Sequence, residues 1–325
     1  MRFNLTTRMA AILFASCAMA GAASAQDDFP SRAVTIVVPY ATGGMSSTLT
    51  QLIAEKMQEN LGQPVIVSNQ PGANGNLASG AVARAAPDGY TILLGTPSTL
   101  TLNPHLYAET PFDLFEDFDP LGLYAITYSV VLTHPDTGYE TIDDIVAAAQ
   151  AAPGTINFGS SGPGSFGHLA GELLAALGDV EMTHIPYPGG GPALTDLMAG
   201  RLSFIFGDTI ALEQVEAGNL DAVALAGIER IAQAPDLETV AEQGWERLDF
   251  TGWQGYVVPR GTPEEIVVRL NEALAYALED ETLGQRINEL GADVADPSPE
   301  VFAEVLRSNY DKWDQVVQDV DVVIE

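Results

Sequence analysis

Lysine is nearly missing from this chain: of 13 basic residues only Lys56 and Lys312 are lysines, against 44 Asp plus Glu, and the formal net charge is −31. A field of that sign repels nucleic acid and anionic membrane surfaces, so neither is expected as a partner. It suits a soluble protein living in salt. Near 1 M the Debye length is about 3 Å, which screens the repulsion among surface carboxylates that low salt leaves in force. The poverty in lysine is therefore read as a halophile or marine signature. Cysteine is scarcer still. The single Cys17 lies in the N-terminal leader, and without that leader no thiol remains for a disulfide, a nucleophile or a Cys-based metal site. His105, His134, His168 and His184 lack metal-ligand spacing, and no calcium-loop pattern occurs. No metal and no cofactor are expected.

Arg2 and Arg8 precede an apolar, small-residue run over 9–23 that closes on Ala23-Ser24-Ala25. A positive region, an apolar region and an A-x-A site make a signal peptide over residues 1–25 and predict a periplasmic protein. Nothing later reaches the ~18 uninterrupted apolar residues of a spanning helix. Lipidation at Cys17 is the rival route, disfavoured by Phe14 and by the apolar run continuing past the cysteine. Cleavage removes two arginines and no acid, which takes the charge to −33.

Hydrophobic residues make up 46% of the chain, enough for two packed lobes at this length. Strands are expected over 33–38, 64–67, 90–94, 129–132, 155–158, 222–226 and 252–259, and helices over 47–61, 76–85, 142–151, 263–278 and 299–317. Repeated βαβ order predicts an α/β fold of parallel sheets with helices on both faces. The last two helices have no sheet of their own, so the chain is expected to return to its first lobe near residue 250. This gives lobe 1 as 26–127 plus 250–325 and lobe 2 as 128–249, joined by a two-crossover hinge.

An internal correspondence locates the candidate site. Residues 35–47 and 155–165 are each a strand, a Gly/Ser loop and a helix start. Open α/β sheets bind ligands beyond the carboxyl ends of their strands, and a helix N-terminus there offers unpaired N–H groups and about half a positive charge. A third loop, Pro186 to Pro192, also leads into a helix start. No Lys or Arg lies between Arg32 and Lys56 or between Arg84 and Arg201, so an anion would be held by backbone and hydroxyl donors.

Two chemistries compete with anion binding. Gly162-Pro163-Gly164-Ser165-Phe166-Gly167 fits G-x-G-x-x-G, with Asp179 or Glu181 near the place of a ribose-binding acid. Pro163 stiffens that turn, and an exported protein would need its dinucleotide supplied outside the cytoplasm. Ser165 and His168 share a helix face as a hydrolase pair would, but Pro163 denies G-x-S-x-G and no orienting third residue follows. Trp253 is placed equally in the cleft wall or in the packing behind it.

Val38-Pro39-Tyr40-Ala41-Thr42-Gly43-Gly44, Arg84 through Gly95, Asn103-Pro104-His105-Leu106-Tyr107, Ser160 to Glu172, Ile185-Pro186-Tyr187 and Gly191 to Gly200 together resemble the substrate-binding proteins of tripartite tricarboxylate transporters, the Bordetella uptake gene (Bug) family. The resemblance covers residues 29–318. It implies a type II periplasmic-binding-protein fold of two Rossmann-like lobes closing like a Venus flytrap. It also implies a small carboxylate or dicarboxylate in the interlobe cleft, delivery to membrane permease subunits, and a monomer without catalysis. Carried over residue by residue, Tyr40, Thr42, Gly43, Gly44 and Ser46 fall in the first loop, and Ser160, Ser161, Gly162, Gly164, Ser165 and His168 in the second. Tyr187 and Asp208 match cleft-facing positions, Asp208 in a locally shifted stretch. Ser47 replaces the family's usual Asp and Pro188 its usual Lys, so ligand identity does not carry over. A secreted hydrolase acting on a carboxylate or ester is the alternative reading.

Overall fold

The computed structural model describes residues 29–320, so the expected signal peptide over 1–25 and Cys17 lie outside the described residues. The first sheet is built on β1 (Val34–Val38), β2 (Val65–Asn69), β3 (Thr91–Gly95) and β4 (Phe118–Thr127). The second takes β5 (Ser129–Thr133), β6 (Asn157–Ser160), β7 (Thr183–Pro186), β8 (Phe204–Asp208) and β9 (Asp221–Leu225). The chain then returns through β10 (Gly252–Pro259) and β11 (Ala292–Val294), giving the orders β11-β4-β10-β3-β1-β2 and β7-β6-β8-β5-β9. Val34, Ile36, Val37 and Val38 of β1 are all buried, as a parallel strand covered on both faces requires.

The expectation of wholly parallel sheets is corrected. β1 runs parallel to β2 and β3, and β6 to β7 and β8, but β10 is antiparallel to β3 and β4, and β5 to β8 and β9. The antiparallel strands are those that carry the chain between sheets. β4 passes into β5 through Tyr128 alone, and the return path enters β10 directly after Phe250 and Thr251.

Eight longer helices flank the sheets among the described residues: α1 (Met45–Leu61), α2 (Asn76–Ala83), α3 (Ile142–Ala151), α4 (Phe166–Gly178), α5 (Gly190–Met198), α6 (Glu264–Leu278), α7 (Glu281–Glu289) and α8 (Pro299–Val320). Local sequence explains several starts. Thr141 and Asp144 form a reciprocal capping box at α3, Ser165 caps α4, and Asp280 caps α7 by accepting from the Leu283 amide at 2.9 Å.

The last helix departs from the single-lobe placement expected for residues 250–325. Phe302 and Leu306, early in α8, pack with Trp253 in the first-sheet core, while Trp313, Val316 and Val317 pack with Phe250 and α4 in the second. Tyr128 Oη donates to Asp293 Oδ2 at 2.8 Å, and Thr209 Oγ1 donates to the Gly291 carbonyl at 2.6 Å, so β11 and the turn before it also reach the second lobe.

Candidate functional site

Three helix N-termini face one cleft. α1 has Gly44 as its N-cap without a side-chain cap, and the Thr48 amide is the first to find a helical carbonyl. The amides of Met45, Ser46 and Ser47 therefore have no protein acceptor among the described residues. In α4 the hydroxyl of Ser165 accepts from the His168 amide at 3.4 Å, leaving the amides of Phe166 and Gly167 without a protein acceptor among the described residues. Gly189 precedes α5 with φ +153°, a conformation open to glycine, and the Gly190 and Gly191 amides are likewise free, Pro192 having none to offer. Aligned peptide dipoles add positive potential at all three points.

The space between them has two contiguous parts. The second-lobe part, about 380 Å³, is walled by Ser160, Ser161, Phe166, Gly167, Gly190 and Gly191 together with apolar Leu194, Ile205, Phe206 and Ile210. The first-lobe part, about 510 Å³, is walled by Tyr40, Gly44, Met45, Ser46, Ser47 and Gln254. Thr127, Gly190 and Asp208 border both. Among the described residues no Lys, Arg or His lines either part, and Asp208 is the one charged side chain that does. Its carboxylate is open to water yet deep between the lobes, and the desolvation there pushes it above the ordinary Asp range.

Of the residues singled out from sequence, Tyr40, Gly44, Ser46, Ser160, Ser161 and Asp208 border this space. Thr42, Gly43, Gly162, Gly164, Ser165, His168 and Tyr187 do not border it: Thr42 and Gly43 are exposed in the first loop, and the other five brace the second-lobe loops. The Gly164 amide donates to His168 Nδ1 at 3.1 Å and the Ser165 amide to the Gly162 carbonyl at 3.2 Å, so the free donors of this loop lie at the next two residues. Tyr187 Oη donates to Asp196 at 2.9 Å. Ser160 Oγ meets His184 Nε2 at 2.7 Å and accepts from the Gly162 amide at 3.1 Å. His184 stacks on His168 with ring centroids 3.9 Å apart, and burial first, then the neighbouring imidazole, lowers its pKa to about 4. Tyr40 Oη bonds Thr96 Oγ1 at 2.7 Å, and burial raises the phenol to about 12, so it stays a neutral donor.

Gln254 is the residue that sequence reasoning missed. Successive side chains of a strand point to opposite faces. Trp253 turns into the core, packing on Phe302 with Nε1 donating to Asn309 Oδ1 at 3.1 Å, while Gln254 takes the cleft side. Tyr124 Oη donates to Gln254 Oε1 at 2.6 Å, which leaves the amide nitrogen as a donor. In a separate groove of about 440 Å³ between α1 and α7 both basic side chains are already paired, Lys56 with Asp280 at 2.8 Å and Arg286 with Glu289 at 2.6 Å. Among the described residues no group of three His, Cys, Asp or Glu is placed to hold a metal, and no helix is long and apolar enough to cross a membrane.

Residues 49–322 match the tripartite tricarboxylate transporter family receptor. Protein BugT of Bordetella pertussis is 31% identical over 96% of this chain and 97% of its own length. Among solved structures, Rpa4515 of R. palustris with adipate is 31% identical with TM-score 0.80, covering 91% of this chain and 99% of that one. MatC of Rhodopseudomonas palustris with bound malate is 33% identical with TM-score 0.78, covering 89% and 100%.

Proposed function

The chain belongs to the tripartite tricarboxylate transporter receptor family, and from that premise we propose that it captures a small carboxylate or dicarboxylate in the cleft between its lobes. Delivery to the permease subunits of such a transporter follows, from the periplasm, where the signal-peptide pattern sends it. The carrying observation is the convergence of three helix N-termini, with unengaged amides of Met45, Ser46, Ser47, Phe166, Gly167, Gly190 and Gly191, on a space lined by no Lys or Arg. Fixed N–H groups hold a carboxylate without a bulky cation, and the neutral donors of Tyr40 and Gln254 extend the set. Adipate and malate in the two solved relatives support this ligand class.

The hydrolase alternative meets one relevant pair. Ser160 and His184 are in hydrogen-bond contact, but an imidazole whose pKa is lowered to about 4 is a weak base at neutral pH, and Ser160 Oγ is tied into its own loop. Ser165 and His168 cap and brace a helix. Calorimetry with straight-chain mono- and dicarboxylates tests the reading, with turnover followed on the same compounds and their methyl esters. Binding without turnover is the expected outcome. Hydrolysis lost in Ser160→Ala would replace the receptor reading with an enzyme.

A further inference from the structure

We infer that the ligand carries, besides its anchoring carboxylate, a hydrogen-bond donor on its carbon chain, a hydroxyl or an ammonium, which Asp208 accepts, and that a bare second carboxylate is disfavoured at that place. This rests on the carboxylate-receptor reading and narrows it.

Asp208 closes β8, opposite Ser129 in the antiparallel register, and borders both parts of the cleft. Its carboxylate has neither a hydrogen-bond donor nor a cation as partner among the described residues, although the molecule's other cross-element acids, such as Asp249, Asp280 and Asp293, are paired. The rest of the cleft lining is neutral and offers donors in helix amides, in hydroxyls such as those of Tyr40, Ser46 and Ser161, and in the Gln254 amide. A ligand carboxylate satisfies those donors, and none of them relieves Asp208. Desolvation with no partner is what raises this acid. A ligand hydroxyl or ammonium supplies the missing donor in a charge-assisted bond, whereas a second carboxylate sets two anions against each other within the cleft. Asp208 is thus a specificity-determining residue, rejecting analogues through an unpaired polar group more strongly than an apolar wall could.

The test uses the full mature protein and calorimetry with C4 to C6 series: the unsubstituted monocarboxylate, its hydroxy and amino derivatives at each carbon, and the dicarboxylate of equal length. At least one donor-bearing compound is expected to bind tenfold or more tighter than both the unsubstituted acid and the dicarboxylate. Asp208→Asn, with its melting temperature measured as a control of folding, is expected to remove that advantage and to improve dicarboxylate binding. Asp208→Glu, which keeps the charge, is expected to keep the ranking. An advantage confined to amino compounds identifies the donor as ammonium; one shared by hydroxy compounds identifies a neutral donor. Dicarboxylates binding as tightly as every substituted acid, or a ranking untouched by Asp208→Asn, would overturn the inference and leave the receptor standing. Absence of binding across the whole panel would overturn both.

Discussion

A Cβ built on Gly44 or on Gly190 meets no atom within 4 Å, and neither backbone has positive φ, so a side chain at either place fits the fold and fills the approach to the amides behind it. Gly44→Val and Gly190→Val are therefore expected to fold normally and to lose ligand. Charge-assisted hydrogen bonds contribute roughly 1.5–3 kcal/mol each, so losing two moves a micromolar Kd about a thousandfold, to millimolar. Calorimetry showing unchanged affinity in both variants would remove the helix-terminus anchor. Gly164 is a different case, since its φ is +73° and its amide already serves His168; substitution there strains the loop without testing the ligand. That contrast marks what was legible at this scale. Gly/Ser loops ending in helices point to an anion site, but which amide is left free depends on the turn, and the G-P-G-S turn shifts the free donors one residue beyond Ser165. Gln254 was hidden for a simpler reason: β10 is buried along its whole length, so hydrophobicity along it does not alternate and the cleft-facing side cannot be told from the core side.

Trp313 fills the second-lobe end of α8, with no exposed surface and its ring 5.0 Å from Phe166 and 5.2 Å from Phe250, while Phe302 fills the first-lobe end. A rigid helix packed into both cores makes their unfolding cooperative. Trp313→Ala and Phe302→Ala should each cost about 3–5 kcal/mol, since both leave cavities in close-packed surroundings. Calorimetric scans of the parent and of both variants should each show one transition, shifted downward in the variants; two transitions, with each variant moving only one, would show the lobes to be thermally independent. The sequence pattern of α8 gives its length to within three residues, but an amphipathic stripe does not say which sheet each turn meets. α7 and β11 went unread because nine helical residues of low hydrophobicity and a three-residue strand are too short for their periods to emerge. By contrast the bounds expected for α3 and β10, 142–151 and 252–259, are those the structure shows. The direction of β10 was not readable, because it depends on the route of the chain between lobes, which no local pattern encodes.

At the scale of the whole molecule, charge and site pull in opposite directions. The chain without residues 1–25 carries −33 and both its lysines are tied up, Lys56 with Asp280 and Lys312 with Asp249, each at 2.8 Å. Carboxylates elsewhere are largely unopposed, so self-repulsion weakens the compact state at low salt, and the same field slows an approaching anion. Added salt weakens both effects, whereas the short-range dipoles that hold the ligand are screened little inside the cleft. The surface ion pairs sacrificed on screening are each worth only about 0–1 kcal/mol, too little to reverse the balance. Melting temperature and association rate should therefore both rise from about 0.05 M to about 1 M NaCl, the reverse of the behaviour of a site built on exposed Lys or Arg. Chloride can itself occupy helix N-termini, so the series is to be repeated with a bulkier monovalent anion, which separates competition from screening. A fall of both quantities in each salt would contradict at once the halophilic reading of the composition and an anion site made of backbone donors, because only cationic side chains at the cleft would make the ligand's arrival weaken on screening.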